Sequence, residues 1–530
     1  MRGIYPTEPN MAEKESEKKF FSKVSLNMVT NVTRVVVMAL VGFLMVPYYI
    51  DQFGIATYAI LPLATSITSY VLVASESLAD SFTRYMIMAI HKGDRDEITK
   101  TYSSSVIGMV RIIFILLPVC ILISILSPYM FSVGDDSHTE VQILFILVLV
   151  ASLMVSFTTS LDSVYMAHNY LYRLYFIRIV HCLLQVVFVI GFFLFFGPSL
   201  TLLGISYLLA AVILIIWLLL GIKRIDPEIR VDRRKYDKVL LKEMSNLGIW
   251  TVVTRLGYIL FIQTSQIVVN ICLGSEVQGE FSVIVNIISM IATTCTAFIA
   301  VGVPLLYKHY NNKDIGMLIS TLDLFTRFVG MILAFPIAFL IIFAPQVVTA
   351  WLGETYEYIV PMISIMVPMC VARCSMEILP SVAIMYKNVR AMGIWTIGLG
   401  ILNVILAAIF IEFTDLGIYG ACLAWNIAIG VLNFVFYPLF VSRLMKINAM
   451  MFYKSLVMNY IAFGILIGLG LLFNNYFELP YEWIPIIVAF VAFFLVYFTL
   501  IMRVGLSKEE RGIVVTYFPQ FMQKYLSKLI

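Results

Sequence analysis

Residues 27–54 decide the fold, and they read NMVTNVTRVVVMALVGFLMVPYYIDQFG. The side chains of residues 35–50 are almost all hydrocarbon, so this stretch has the character of a membrane-spanning helix with Arg34 at its edge or inside it. A guanidinium at the centre of a membrane helix costs about 2.5–3.5 kcal/mol, and an arginine cannot shed its charge by deprotonating. A charge kept at that cost needs a structural or functional explanation.

The pattern of an arginine, an apolar run and a glycine returns in the second half of the chain. Arg34 lies twenty residues before Gly54, and Arg255 lies nineteen residues before Gly274. Gln266 follows Arg255 by eleven residues, or three helical turns, so both side chains point to the same face of a helix. The chain therefore contains two half-molecules, each of which places one arginine at the same depth.

The composition indicates a protein whose solvent is the lipid bilayer. Of the 530 residues, 61% are hydrophobic and 13% are charged, and the mean hydropathy is +0.95. Apolar stretches long enough to span a membrane recur along the whole chain, whereas a membrane β-barrel would show alternating segments of about ten residues. The predicted fold class is an all-α polytopic membrane protein.

We predict fourteen transmembrane helices, arranged as two parallel six-helix bundles plus two extra C-terminal helices. The predicted spans are 24–50, 57–86, 105–127, 141–165, 174–196, 199–221, 247–272, 280–306, 317–343, 358–386, 391–413, 417–441, 453–474 and 482–503. The repeat is parallel because an even number of helices in the first half leaves both halves in the same orientation.

The links between these spans alternate in charge. Odd-numbered links contain acids such as Asp51 and Glu354 and neither lysine nor arginine, whereas even-numbered links and both tails hold most of the bases. The positive-inside rule then predicts a multi-pass protein of the cell (plasma or inner) membrane with cytoplasmic N- and C-termini.

The heaviest cluster of bases marks the division of the chain into domains. The predicted domains are 1–221, an N-terminal six-helix bundle with a cytoplasmic tail 1–23; 222–246, a basic cytoplasmic linker; 247–444, a C-terminal six-helix bundle; 445–503, helices 13 and 14; and 504–530, a cytoplasmic amphipathic tail.

The sequence argues against an enzyme. The links predicted to be extracytoplasmic are too short to fold into a catalytic domain, and no Walker loop, HExxH or other phosphate- or metal-binding signature is present. We predict no cofactor, no metal and no nucleic-acid partner. Any activity must therefore take place between the helices.

Charged side chains recur inside the predicted spans, and several have an ordinary structural explanation. Arg373 and Glu377, like Asp323 and Arg327, are spaced four residues apart, which is typical of ion pairs on one helix. Arg111 and Arg327 lie within a few turns of the predicted cytoplasmic ends, where a long side chain can reach lipid phosphates. For these two arginines, snorkelling and substrate binding remain equal alternatives.

Arg34 and Arg255 differ from the other charges. Neither has an acid within one turn on its own helix, and they occupy matched positions in the repeat, so we favour an anion site. The candidate substrate-binding residues are Arg34, Arg255, Asn31, Gln266, Arg111 and Arg327, and the candidates for coupling H⁺ or Na⁺ are Glu76, Asp80 and Glu377.

Two segments carry a resemblance to a known family. Residues 53–58 (FGIATY) are followed by a span that ends SFTRY at Tyr85 and by HKGD at residues 91–94, and residues 273–281 (LGSEVQGEF) begin the matching part of the second half. This chain resembles the polysaccharide (O-antigen type) flippases, within the multidrug/oligosaccharidyl-lipid/polysaccharide exporter superfamily. It departs from the pattern at Ala59, where the second half has Gly279.

The resemblance implies a V-shaped fold of two bundles, alternating access and a polyprenyl-(pyro)phosphate-linked oligosaccharide as substrate. The expected function is a flippase that carries this lipid from the cytoplasmic to the outer leaflet, with arginines at its phosphate head. Arginine suits this role because its planar fork donates paired hydrogen bonds to phosphate oxygens. A glycan polymerase or glycosyltransferases are the expected protein partners, and membrane lipid surrounds the chain.

Two alternatives have the same fold. A cation-coupled exporter of drugs or metabolites needs a buried carboxylate that binds substrate and ion in turn, yet spans one and seven carry Arg34 and Arg255 and no acid. A lipid II flippase shares the anionic substrate, and the sequence leaves it open.

The alternation of charge predicts a labelling pattern. In a variant without the seven native cysteines, Glu354→Cys should react with a membrane-impermeant maleimide in intact cells, whereas Arg234→Cys should react only after permeabilisation. Labelling at Glu354 that requires permeabilisation would contradict the predicted topology.

Overall fold

The computed structural model describes residues 11–133, 138–505 and 511, and over these residues its regular elements are helices. In chain order they are α1 (Met11–Phe53), α2 (Ile55–Tyr58), α3 (Ile60–Lys92), α4 (Arg95–Met130), α5 (His138–Ala167), α6 (Leu171–Phe196), α7 (Leu200–Ile225), α8 (Lys238–Leu273), α9 (Ser275–Asn311), α10 (Ile315–Ile342), α11 (Ala344–Leu352), α12 (Val360–Met366), α13 (Met369–Met376), α14 (Leu379–Met385), α15 (Val389–Phe413), α16 (Ile418–Gly430), α17 (Tyr437–Met445), α18 (Met450–Tyr476) and α19 (Trp483–Leu500). Short 3-10 turns lie at Arg233–Lys235 and Glu354–Ile359, and π-helical turns at Val431–Phe436 and Ile501–Gly505.

The number of membrane-spanning helices agrees with the sequence. Within the described ranges, 13 helices are long and apolar enough to cross a membrane, and the total is 14 if Glu354–Met366 and Met369–Met385, a pair bent by 47°, count as one span. The bend lies at Pro368, which has no N–H to continue the helical hydrogen bonds. The predicted fold class, an all-helical polytopic membrane protein, is confirmed, with 13 to 14 candidate spans. The predicted amphipathic tail, 504–530, lies almost entirely outside the described residues.

The chain forms two compact units. Unit 1 contains Met1–Met45 and Ile60–Val252, and unit 2 contains Val46–Ala59 and Val253–Ile530. The boundaries therefore fall inside the long helices α1 and α8, so the last turns of α1 fold with unit 2. The domain limits predicted from the span count remain a prediction.

Unit 1 is built around α5, which packs against α3 on one side and α7 on another, with α4 against α3 and α5. The largest buried side chains of its core include Tyr165, whose hydroxyl donates a hydrogen bond to the carbonyl oxygen of Leu218 at 3.0 Å. Asn27 fixes the start of α1: its amide donates to Asn169 Oδ1 at 3.0 Å and accepts from the backbone N–H of Tyr172 at 2.8 Å. These bonds attach α1 to the turn between α5 and α6.

The turns that follow α1 and α8 are built alike. Gly54 and Gly274 have φ values of 77° and 91°, which favour glycine because it has no Cβ. Both turns belong to unit 2, where α2 packs on α9. A Cβ added at Gly279 would lie 2.9 Å from Ile55 Cγ1, so glycine at position 279 permits this close packing. The glycine turn predicted from the repeat is therefore present in both halves.

Helix α10 is the most buried of the 13 single-helix candidate spans, and α18 and α19 pack against it. Asn459 of α18 donates to the carbonyl oxygen of Thr326 at 3.1 Å and to Ser375 Oγ at 2.8 Å. Tyr497 of α19 donates to the carbonyl oxygen of Met331 at 2.9 Å. Hydrogen bonds of this kind hold helices together in lipid, where hydrocarbon contact alone gives little preference for protein over lipid.

Helices α8 and α15 approach closely at glycines. A Cβ at Gly400 would lie 2.7 Å from Leu260 Cβ and 2.9 Å from the carbonyl oxygen of Gly257, and both atoms belong to the helix opposite. Small residues allow such contacts between membrane helices. By contrast, a Cβ at Gly398, two residues earlier on α15, would meet nothing within 4 Å.

These two glycines form a matched pair for mutation. Gly400→Ala should lower the stability of the purified protein by about 1–3 kcal/mol, because the new methyl group overpacks the α8–α15 contact. Gly398→Ala should leave stability unchanged or raise it by up to about 1 kcal/mol, because alanine is the better helix former. Thermal unfolding in detergent measures both, and equal melting temperatures for the two variants would refute the contact.

Candidate functional site

Arg34 lies on α1 in unit 1, and it has polar but no acidic partners among the side chains that the structure describes. Its Nη2 donates to Asn31 Oδ1 at 3.0 Å, and its Nη1 contacts Met38 Sδ at 3.5 Å. The guanidinium carbon lies 5.3 Å from the centre of the Tyr175 ring, in cation–π geometry. The structure thus brings together Asn31 and Arg34, two of the predicted substrate-binding residues.

A second arginine lies near Arg34, and it does have an acid. Arg178 of α6 donates from Nη2 to Asp162 Oδ2 and to Thr158 Oγ1 of α5, both at 2.6 Å. The side chains of Arg178 and Asp162 are 20% and 17% exposed, so this is a largely buried ion pair between two helices. Arg34 and Arg178 are close enough to repel each other electrostatically.

The charges of this group do not cancel. Two arginines face one described carboxylate, that of Asp162, which leaves one positive charge in excess. We call Asn31, Arg34, Tyr175, Asp162 and Arg178 the unit 1 arginine cluster. An anion bound at Arg34 would restore neutrality. Sequence reasoning missed Asp162 and Tyr175, because neither lies near Arg34 in the chain.

The predicted residues Arg255 and Gln266 belong to unit 2, and the surroundings of Gln266 differ from those of Arg34. Gln266 is 3% exposed, accepts a hydrogen bond from Ser282 Oγ at 2.9 Å and donates to Gln263 Oε1 at 3.1 Å. Gln278 donates in turn to Ser282 Oγ at 2.6 Å. This buried chain of amides and a hydroxyl joins α8 to α9, so Gln266 serves helix packing here.

A group of ionisable side chains in unit 2 surrounds Tyr258, which lies one turn after Arg255 on α8. The hydroxyls of Tyr258 and Tyr437 are hydrogen-bonded to each other. Arg373 and Glu377 form the ion pair expected from their spacing, with Nε 3.7 Å from Oε2, and both interact electrostatically with Tyr258. Glu377, a candidate for ion coupling, therefore already has a cation beside it.

The other predicted pair is also present. Arg327 Nη2 lies 3.6 Å from Asp323 Oδ2, and Ser455 of α18 donates to Asp323 Oδ1 at 3.2 Å. Helix α3 carries Glu76 and Asp80, whose side chains lie outside the described part of the chain.

Arg111 is bound by the link between α7 and α8. Its Nη1 donates to Tyr236 Oη at 2.6 Å, and its guanidinium carbon lies 4.2 Å from the centre of the Tyr236 ring. Neighbouring contacts attach the same link to the start of α4: Lys100 binds Asp237 at 2.6 Å, and this hydrogen bond, with the N–H groups of Leu240 and Val239, lowers the pKa of Asp237. Arg111 therefore has a structural role in holding the link.

Comparison with solved structures defines the class of protein by its fold. The chain is similar to a multidrug resistance MATE family transporter of the MOP superfamily in its inward-facing conformation, with a TM-score of 0.63 and 15% identity over 79% of this chain and 99% of that one. It is also similar to an outward-facing MATE transporter of the same superfamily, with a TM-score of 0.59 and 14% identity over 81% and 96% of the two chains. The fold is that of the MATE transporters.

The sequence comparison gives the family. The family described as "Polysaccharide biosynthesis protein" matches residues 16–309, more than half of the chain, and the chain belongs to this family. It is similar to the uncharacterized membrane protein EpsK of Bacillus subtilis (strain 168), with 24% identity over 439 residues, or 82% of this chain and 86% of that protein. The chain is thus a multi-pass membrane protein of the polysaccharide biosynthesis family, and it has the fold of the MATE transporters.

The ion pair between α5 and α6 generates a stability prediction. Arg178→Leu should destabilise the purified protein by about 3–5 kcal/mol, because it leaves the Asp162 carboxylate buried without its cation. Adding Asp162→Asn to this variant should recover much of the loss. Thermal unfolding measures the stability of the wild type, of Arg178→Leu and of the double variant. The control is Arg173→Leu, because Arg173 is an exposed arginine on the same helix. A melting temperature of Arg178→Leu equal to that of the control would exclude the buried pair.

Proposed function

We propose that this protein moves a polyprenyl-(pyro)phosphate-linked oligosaccharide from the cytoplasmic to the outer leaflet by alternating access. Its family supports a glycan as cargo, and the MATE fold supports transport. The observation that carries the proposal is the excess positive charge of the unit 1 arginine cluster, where Arg34 has only neutral partners among the described side chains. A phosphate head supplies the missing negative charge.

The chemistry of Arg34 suits a phosphate. Asn31 Oδ1 accepts hydrogen bonds from Arg34 Nε at 3.3 Å and from Arg34 Nη2 at 3.0 Å, and these two bonds hold the guanidinium in one orientation. Among the described residues, the acceptor of Nη1 is the weakly accepting Met38 Sδ, so an anionic oxygen would make a much stronger hydrogen bond there. In this proposal Arg255 is a second anion-binding residue, while Arg111 and Arg327 hold structure.

The direction of transport follows from charge. With cytoplasmic termini and an inside-negative cell membrane, moving an anion outward is favourable by about 2.3 kcal/mol per charge for each 100 mV. Glu76, Asp80 and Glu377 remain candidates for coupling H⁺ or Na⁺, although Glu377 would first have to leave Arg373. Glycosyltransferases that build the glycan, or a polymerase that extends it, would supply and consume this cargo.

A cation-coupled multidrug exporter is the second candidate function. The observation that favours it is Glu377, a carboxylate buried beside Tyr258 and Tyr437, which could alternate between Arg373 and a cationic substrate. The two functions place the essential charge differently: on the arginines for a lipid-linked anion, and on Glu377 for a cation.

Arginine variants test the proposal. Arg34→Ala and Arg255→Ala should each abolish surface glycan, because each removes a donor fork from the phosphate. Arg34→Ala should cost at most about 1 kcal/mol of stability, since only neutral partners are lost. Arg34→Lys should keep partial export, because it retains the charge without the fork, and Arg34→Glu should have none. Surface glycan is measured in deletion cells that carry each variant at matched membrane expression.

The control for these variants is Arg173→Ala, which should export normally. Normal surface glycan in the double variant Arg34→Ala/Arg255→Ala at wild-type expression would overturn the anion site. If Glu377→Gln abolished resistance to cationic drugs while surface glycan stayed normal in every variant, the multidrug function would replace the proposal.

A further inference from the structure

An open groove runs along the lipid-facing side of α7 in unit 1. It has a volume of about 330 Å³ and is lined by Ile213, Ile216, Trp217, Leu220, Gly221 and Arg224. Ile216, Trp217 and Leu220 are 52%, 37% and 53% exposed, so the groove lies outside the core of the unit. Its walls are hydrocarbon except at Arg224, near the C-terminal end of the helix.

The groove has the polarity of a lipid molecule, with an apolar wall and one cationic end. Helix α7 has 26 residues and is about 39 Å long, slightly longer than the hydrocarbon core of a bilayer at about 30 Å. Arg224 therefore lies at the level of the headgroups. Trp217, seven residues earlier, lies about 10 Å deeper on the same face, where it meets Phe176 of α6 edge-on.

The charge at the headgroup end is not neutralised by the protein. Among the described residues, neither Arg224 nor its neighbour Lys223 has an ion-pair or hydrogen-bond partner, and both are exposed. The acids of the following link are engaged elsewhere: Asp226 and Glu228 bind Arg95 at 2.6 and 3.1 Å.

Further along the link the same division holds. Asp237 binds Lys100, so the acids of the link neutralise bases of α4 rather than those of the link itself. Arg230, Arg233 and Arg234 remain exposed, and no described side chain is paired with any of them. Lys235 is the exception, because it binds Asp96 of α4 at 2.5 Å. The link thus leaves Arg230, Arg233 and Arg234 as exposed bases beside Lys223 and Arg224.

We propose that the α7 groove binds one anionic phospholipid of the bilayer, with an acyl chain along Ile213, Trp217 and Leu220 and the phosphate at Arg224. The apolar wall matches the acyl chain, and the cationic end matches the phosphate. A zwitterionic headgroup brings its own cation, which the exposed bases of the link would repel, so an anionic headgroup is preferred. The site is separate from the unit 1 arginine cluster and does not depend on the transported substrate.

Native mass spectrometry of the full-length protein in mild detergent tests this site. Phosphatidylglycerol and phosphatidylcholine with matched acyl chains are titrated, and polyprenyl phosphate is a third probe. The wild type should retain phosphatidylglycerol in preference to both other lipids. Arg224→Gln should weaken phosphatidylglycerol binding about fivefold, the effect of one basic residue near an anionic lipid surface. Arg224→Lys should preserve it.

Lys242→Gln is the matched control, because Lys242 is an exposed base of α8 outside the groove, and it should bind as the wild type does. High salt should reduce the preference of the wild type for phosphatidylglycerol. Equal weakening by Arg224→Gln and Lys242→Gln would overturn the site, as would equal retention of phosphatidylcholine. A preference for polyprenyl phosphate would assign the groove to the transported lipid instead. None of these readouts measures export, so they stand apart from the test of transport.

Discussion

A charge inside a membrane protein must be balanced by another group, because the surrounding hydrocarbon cannot solvate it. In the described parts of the two units, three arginines meet this constraint through carboxylates: Arg178 with Asp162, Arg327 with Asp323 and Arg373 with Glu377. Arg34 meets it only in part, through an amide, a thioether and an aromatic ring. This difference sets Arg34 apart from those three arginines.

The same constraint governs how the helices associate. Leucine or phenylalanine packs as well against lipid as against protein, so polar contacts and small residues select the partner helix. Asn459 joins α18 to α10 and α13, Gln266 joins α8 to α9, and Gly400 lets α15 approach α8. Polar residues inside the spans therefore belong mostly to the architecture, and few of them remain for a substrate.

The link between α7 and α8 both anchors itself to α4 and exposes positive charge at the surface. Its carboxylates and Tyr236 bind Arg95, Lys100 and Arg111 of α4, which anchors the link along the start of that helix. One of its bases, Lys235, also binds α4, through Asp96 at 2.5 Å, whereas Arg230, Arg233 and Arg234 are exposed and have no ion-pair partner among the described residues. The acids beside these bases bind α4 and thereby fix the position of the whole link, bases included. The charge pattern of the link therefore has a structural role in addition to any role in membrane orientation.

The sequence by itself determined the helical class, the 13 to 14 candidate spans, the paired glycine turns and the ion pairs of Arg373 and Asp323, because each depends on hydrophobic length or on spacing within one helix. It also placed Asn31 beside Arg34, one turn away. Only the tertiary structure decided that Arg178 binds Asp162, that Arg111 binds Tyr236 and that Gln266 is buried in a packing contact. These partners lie on different segments of the chain. Which residues meet depends on the rotation and the depth at which two segments pack, and the hydrophobic periodicity of a single segment determines neither.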